Sequence, residues 1–298
     1  MTALARLSGV TRRFGERTAL DSVDLAIEPG AIVGLLGPNC AGKTTLISLL
    51  QGRRRPTSGT VELFGGDPAD PVRRIGLGST PQETALPDAL KVREVVDFVG
   101  AHFPDRVGTA ELAAEFGFAD LLKRQCGALS GGQKRRVAVA LAFVGSPRLV
   151  LLDEPTTGLD VDARHALWDA VRRQHARGAT VVVTSHYLEE IEALAERVVV
   201  LADGRIVADD TLEAVLTRAG SRVVRLASPE LHRIAALPQV LRHDAGTFTV
   251  TDADAFLVDL VRSGLPFRDL EVRRAGLEEA FLALTESSAS SSAPKENV

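Results

Sequence analysis

The apolar positions change period along the chain, and each change marks a predicted element. Ala3-Leu4-Ala5-Arg6-Leu7 and the run 19–27 read as short strands closed by turns, the second at Glu28-Pro29-Gly30. Ala31-Ile32-Val33-Gly34-Leu35-Leu36 has the length of a buried strand, and Leu46-Ile47-Ser48-Leu49-Leu50 continues as a helix. Strand-like runs follow at 60–64 and 75–80. From 87 to 128 the spacing becomes helical, with Val92, Val95, Val96 and Val99, then Leu112, Phe116, Leu121 and Leu122. This predicts a helical insertion between two strands of a core sheet, which with the helix after it spans about 87–146. Leu149-Val150-Leu151-Leu152-Asp153-Glu154 reads as a fully buried parallel strand ending in two acids. A helix to Arg177 stops at Gly178. A strand at 180–184, a helix at 188–196 and strands at 198–201 and 205–207 follow.

Strands alternating with helices predict an α/β fold whose mostly parallel sheet is covered on both faces. Ligands of such sheets bind beyond the carboxyl ends of the strands. Past about residue 220 the character changes. Strand-like 222–226, helical 229–236, strand-like 240–243 and 247–250, helical 253–263, strand-like 267–272 and helical 277–285 describe a small α+β module, read as β-α-β-β-α-β. The expected division is 1–218 for the core domain, 219–285 for the module and 286–298 for a Ser/Ala-rich disordered tail.

Composition narrows the function classes. With 45% hydrophobic and 25% charged residues the chain has the make-up of an ordinary globular protein. A net charge of −4 lacks the basic footprint of a nucleic-acid partner. Two cysteines in 298 residues cannot make a disulfide framework, which points to a reducing cytosol. The first residues lack the apolar core of a signal peptide. No apolar run reaches the ~18 residues of a spanning helix; the longest approach, 137–152, is interrupted by Pro147 and Arg148. Any membrane span must come from another chain.

The candidate chemistry begins at Gly37-Pro38-Asn39-Cys40-Ala41-Gly42-Lys43-Thr44-Thr45, a full G-x-x-x-x-G-K-[ST] pattern between a predicted strand and a predicted helix. Backbone N–H groups and the helix N-terminus make such a loop a phosphate cradle. Lys43 can reach the β- and γ-phosphates, and the Thr44 hydroxyl can ligate Mg²⁺. Gln82, Asp153-Glu154 and His186 also follow strand runs, so all should meet at one sheet edge. Leu129-Ser130-Gly131-Gly132-Gln133 opens a helix, and Asp160 is placed as an N-cap. Phe14, in the polar turn Arg12-Arg13-Phe14-Gly15, is either a stacking plate for a base or a hydrophobic plug. Arg53-Arg54-Arg55 reads as a solvated loop capping the preceding helix.

In this order, P-loop, Gln82, LSGGQ, Asp153-Glu154, Asp160 and His186 resemble the nucleotide-binding subunit of an ABC transporter over about residues 3–218. The ending Gly276-Leu277-Glu278-Glu279-Ala280-Phe281-Leu282-Ala283-Leu284-Thr285 resembles, less specifically, that of bacterial multidrug and antibiotic-resistance exporter ATPases. The resemblance implies ATP as substrate and Mg²⁺ held by Thr44, Asp153 and Gln82. Glu154 would orient or deprotonate the attacking water, His186 would bind the γ-phosphate, and Gln82 would also sense the membrane partner. Phe14 would be the adenine plate. The set Ser130, Gly131, Gly132 and Gln133 would bind the γ-phosphate of ATP held by the other subunit's P-loop, with Asp160 at the seam. It thus implies a head-to-tail pair of this chain, isologous if both copies are identical, attached through an integral permease to the cytoplasmic face of the membrane. The permease's coupling helix would enter a groove between the sheet core and 87–128, near Gln82.

Two departures stand out. Cys40 replaces the glycine usual there, which crowds the loop and would weaken ATP binding. Cys126 lies just before the signature; the two thiols are either unrelated and buried, or close to each other across the dimer and oxidation-sensitive. The other departure is a strand end, Gly78-Ser79-Thr80, less apolar than a buried strand calls for. Two further functions remain open. A soluble ABC ATPase of repair or translation would need coiled-coil arms, a second cassette or a basic surface, none of which the sequence carries. An ATP-switched binding module without turnover would not need Glu154 and His186.

Overall fold

The computed structural model describes residues 2–80, 85–218 and 222–282. Gln82, the end of the helix expected at 277–285 and the tail 286–298 lie outside the described residues. The chain divides into two compact units, Met1–Asp209 and Asp210–Val298.

The first unit runs β1 (Ala5–Phe14), β2 (Arg17–Ile27), β3 (Ile32–Leu36), α1 (Lys43–Leu50), β4 (Ser58–Leu63), α2 (Pro71–Arg74), β5 (Leu77–Thr80), α3 (Val92–Gly100), α4 (Thr109–Glu115), α5 (Gly131–Leu141), β6 (Leu149–Asp153), α6 (Val161–Ala176), β7 (Thr180–Thr184), α7 (Leu188–Leu194), β8 (Arg197–Ala202) and β9 (Arg205–Thr211). Its main sheet has the order β5-β6-β7-β3-β8-β9, and the pairs β5/β6, β6/β7, β7/β3 and β3/β8 are parallel. Every residue of β3, β6 and β7 is buried, as strands covered on both faces require. A second, antiparallel sheet, β2-β1-β4, packs apolar side chains such as Leu7, Leu20 and Leu25 into the same core as Leu35, Leu46 and Leu151.

Local sequence sets the insertion. In α3, Val92, Val95 and Val96 are buried at helical spacing, and the Lys91 amide donates to Glu94 Oε2 at 2.8 Å to close the first turn. The polar end of β5 has two reasons. A Cβ on Gly78 would collide with the Ala142 carbonyl oxygen beyond α5, and Thr80 Oγ1 accepts the Asp153 amide at 3.3 Å. The helix expected to reach residue 196 ends at Leu194, because the Glu196 amide turns away to donate to the Ile32 carbonyl at 2.9 Å.

The second unit holds α8 (Leu212–Arg218), β10 (Arg222–Ala227), α9 (Leu231–Ala235), β11 (Val240–Asp244), β12 (Thr247–Val250), α10 (Ala253–Arg262), β13 (Arg268–Arg274) and a helix at 277–282. Its sheet is antiparallel with order β11-β12-β10-β13, giving the β-α-β-β-α-β sequence from β10 to β13. Val224, Leu226, Phe248 and Val250 on one sheet face meet Ile234 of α9 and Phe256 and Leu260 of α10. The sequence pattern does not announce α8, whose seven residues are too few for a helical period to stand out.

Candidate functional site

The P-loop leaves β3 and enters α1. Its two outer glycines are demanded by space as well as conformation. A Cβ on Gly37 would sit 2.2 Å from the Leu201 carbonyl oxygen, and one on Gly42, at φ +109°, 2.4 Å from that of Ala19. No side chain caps α1, so its first amides face the loop's concavity together with the helix dipole. Pro38, Asn39 and Cys40 are exposed, as is Thr44 on the first turn, while Thr45 is half-buried. Lys43 folds back across the loop and donates from Nζ to the carbonyls of Gly37 (2.6 Å) and Pro38 (3.0 Å). Burial lowers its pKa, against the opposing pull of the Glu154 and Asp153 carboxylates.

Those two acids end β6. The sheet order puts β5, β6, β7 and β3 side by side, so Thr80, Asp153-Glu154, Ser185-His186 and the P-loop share one edge. Asp153 is buried, with Oδ1 accepting the Thr184 hydroxyl at 2.5 Å. Burial raises its pKa, offset in part by Thr184, Arg135 and Lys43 and reinforced by Glu154. Glu154 has φ +50°, a left-handed conformation that costs a side-chain-bearing residue about 1–2 kcal/mol. The strand neighbour holds it there: its amide donates to the Thr184 carbonyl and hydroxyl, both at 3.1 Å. Glu154 Oε2 lies 3.5 Å from His186 Nδ1 and accepts the Thr157 hydroxyl at 3.4 Å. His186 is half exposed, its ring tilted against that of Tyr187 with centroids 4.0 Å apart.

Arg135 is a site-building residue that no motif marks. It is 3% exposed on α5, and its guanidinium donates to the carbonyls of Asp153, Glu154 (2.7 Å) and Pro155 (3.1 Å). The signal was available: Arg135 falls three and four residues before Ala138 and Val139 on the buried face of the helix. Burial lowers its pKa, against Asp153, Glu154 and Glu190.

The signature sits at the start of α5 and caps itself. Ser130 Oγ accepts the Gln133 amide at 3.2 Å, and Gln133 Oε1 accepts the Ser130 amide at 3.1 Å. The Ser130 O–H remains a donor. Gly131 faces open space, and Gly132 lies beside Leu159, where only 3.2 Å separates a Cβ from Leu159 Cδ2. Asp160 caps α6 as expected, with Oδ1 accepting the Ala163 amide at 2.8 Å.

Phe14 is the last residue of β1, outside the turn. Its ring is covered by the guanidinium groups of Arg12 at 4.6 Å and Arg54 at 5.0 Å. Arg54 is therefore more than a solvated loop residue. The thiols are correctly described by neither expectation: Cys40 is exposed at φ +67°, whereas Cys126 is fully buried. Burial also raises the Cys126 pKa. A thiol with no accessible surface cannot form a disulfide across an interface.

A phosphate cradle at a strand–helix junction, on the same sheet edge as the paired carboxylates that end β6, defines a P-loop nucleoside triphosphatase. Comparison with known proteins carries this further. The ABC transporter model matches residues 20–157. The daunorubicin/doxorubicin resistance ATP-binding protein DrrA of Streptomyces peucetius is 34% identical, over 95% of this chain and 93% of its own. Nod factor export ATP-binding protein I of Mesorhizobium japonicum is also 34% identical, over 95% of this chain and 87% of its own. Among solved structures, an ATP-binding subunit of an ABC transporter superposes with a TM-score of 0.66 at 28% identity, over 73% of this chain and 93% of that one. A dimeric ATP-binding cassette in a post-hydrolysis state with ADP and Pi gives 0.64 at 26%, over 70% and 98%. The chain belongs to the ABC transporter family, as an ATP-binding, ATP-hydrolysing cassette. No helix among the described residues is long and apolar enough to cross a membrane.

Proposed function

We propose that this chain drives a separately encoded membrane permease that exports drug-like or lipid-like compounds, and that its working form is a head-to-tail pair on the cytoplasmic face. The names of the relatives, drug resistance and Nod factor export, support the direction of transport. A groove between β5, α3 and α5, lined by Leu77, Ser79, Leu86, Val99, Phe103 and Leu141, supports docking of a permease helix. The observation that carries the catalytic reading is the meeting of Lys43, Asp153, Glu154 and His186 along adjacent strand ends.

In this reading the motif-bearing domain is 1–218, and the P-loop amides of residues 37–45 with Lys43 hold the β- and γ-phosphates of ATP. Thr44 and Asp153 offer hard oxygens, and no group of three His, Cys, Asp or Glu that could hold a metal occurs among the described residues. That donor set suits Mg²⁺, which keeps water and phosphate ligands and needs few from protein, with Gln82 as a further contact. When bound, Mg²⁺ neutralises charge on the phosphates. Glu154 accepts the proton of the attacking water as its oxygen bonds to the γ-phosphorus and the bond to the β,γ-bridging oxygen breaks, releasing ADP and phosphate. His186, 3.5 Å from Glu154, donates to the γ-phosphate oxygens. From the second copy, Ser130, Gly131, Gly132 and Gln133 supply donors to the same phosphate, with Asp160 at the seam. Phe14 stacks adenine once Arg12 and Arg54 move off its ring.

The test is Glu154→Gln with the permease present. Phosphate release should fall about 10²–10⁴-fold, the range of a lost general base, while the variant retains ATP and a stable dimer in gel filtration. Hydrolysis at the parent rate would remove Glu154 from this role.

A further inference from the structure

Behind the site lies a carboxylate that the hydrolysis reading leaves unused. Glu190, in the third position of α7 after Leu188-Glu189, has no exposed surface. A buried acid is stable only with its oxygens satisfied, and here three donors converge. Thr156 Oγ1 donates to Oε2 at 2.9 Å and Trp168 Nε1 to Oε1 at 3.0 Å, and the Ser185 hydroxyl also bonds the carboxylate. Thr156, Trp168 and Ser185 are themselves 1%, 4% and 2% exposed. Two cations act on it: Arg135, and Arg164, whose guanidinium lies over the Tyr187 ring and 3.7 Å from Glu189.

The origin of these donors is the point. Thr156 is two residues past Glu154, in the loop that leaves β6. Ser185 immediately precedes His186 and accepts the Tyr187 amide at 2.9 Å, which fixes the turn carrying the histidine. Trp168 belongs to α6, whose N-cap is Asp160. One side chain therefore fastens the two loops whose ends bring Glu154 Oε2 within 3.5 Å of His186 Nδ1. Arg135 also grips the first loop, through its carbonyls. Glu154 keeps its left-handed backbone only while its surroundings over-determine it, and the Thr156 tie to Glu190 adds to the Thr184 and Arg135 contacts that hold the loop.

We propose that Glu190 is a positioning residue for hydrolysis: it sets the distance between Glu154 and His186 by tying Thr156 and Ser185 to one buried carboxylate. This rests on the reading that Glu154 and His186 act at the γ-phosphate. A plain structural knot, present only to satisfy the Trp168 indole, would instead show itself as lost stability with no selective kinetic effect.

The test uses the full chain with its permease. Glu190→Gln keeps the shape but turns an N–H₂ group toward one of the donors. Its kcat should fall roughly 10–100-fold with KM for ATP within about threefold, the pattern of an interaction realised in the transition state. Backbone amide exchange of the chain without nucleotide should quicken at 154–157 and 185–187 and stay unchanged at 37–45. Thr156→Val, which removes one hydroxyl and preserves bulk, should show the same split at smaller size if Glu190→Gln does not fold. An unchanged kcat overturns the proposal. So does a fall in kcat matched by KM, a lower melting temperature and exchange quickened along the whole chain. If Glu154→Gln keeps the parent rate, the hydrolysis reading itself fails; if that variant is inactive while Glu190→Gln is not, only the role of Glu190 fails.

Discussion

The two halves of the site are built by different means. The P-loop half is made of backbone: two glycines that fit where no Cβ can, a helix start without a side-chain cap, and a lysine bonded to the loop's own carbonyls 5 and 6 residues away. The acidic half is made of side chains reaching across the fold. Arg135 bonds to carbonyls 18 to 20 residues away, Thr184 to Asp153 across 31, and Glu190 to Thr156 across 34. A backbone cradle tolerates almost any solvent-facing residue at Pro38 and Asn39 but no Cβ at its corners. A side-chain scaffold tolerates changes in backbone but loses its geometry when one donor is removed.

That contrast can be broken from either side. Gly42→Ala should strike the backbone half hardest. A forbidden φ and a Cβ forced onto the Ala19 carbonyl together cost about 2–5 kcal/mol. ATP affinity should fall by about 10²-fold or more by equilibrium binding, with Glu154 and His186 unmoved. Arg135→Met should strike the other half. Three carbonyls lose their donor, at about 1–3 kcal/mol for each buried group left unsatisfied. Phosphate release should drop far more than ATP binding, and the melting temperature should fall. Equal losses of both in either variant would erase the distinction between the halves.

Cys40→Gly sharpens the comparison from within the loop. Cys40 holds φ +67° without a glycine's freedom, so the substitution should relieve about 1 kcal/mol. ATP should bind up to about fivefold more tightly, read by titration with a fluorescent analogue. The smallest effect concerns Asp153, whose pKa burial raises. A raised folded pKa in an acid means the folded state binds its proton more tightly than the unfolded chain does, so stability is lost as pH rises through that value. Asp153→Asn should therefore raise the melting temperature of the nucleotide-free protein at neutral pH. The gain should vanish in acid, where the parent carboxyl is protonated as well. No gain at neutral pH would show that Thr184, Arg135 and Lys43 compensate the burial completely.

The degree to which each part was legible follows from this division. The P-loop, the signature and the acidic strand end are short patterns whose physics lies within a few residues, and the sequence predicts their elements to within a residue or two. The cap at Asp160 is equally local: an acid three residues before the amide it binds. Arg135 and Glu190 carry a weaker signal, a charged residue on an apolar helical face, Glu190 lying four before the buried Leu194. That pattern says that a charge is buried without saying what satisfies it. The cover of Phe14 by Arg12 and Arg54, and the burial of Cys126 against the exposure of Cys40, depend on neighbours far away in sequence, so the expectations there needed correction.

By itself the sequence determined most of the elements, the parallel core, the nucleotide chemistry and the family, because hydrophobic period and motif spacing are properties of contiguous residues. Only the tertiary structure decided how Glu154 is held. Its φ, its 3.5 Å approach to His186 and the converging grips of Arg135, Thr184 and Glu190 arise where β6 and β7 lie side by side. Strand adjacency is a product of the whole core, and a hydrogen bond between residues 30 apart leaves no spacing to read.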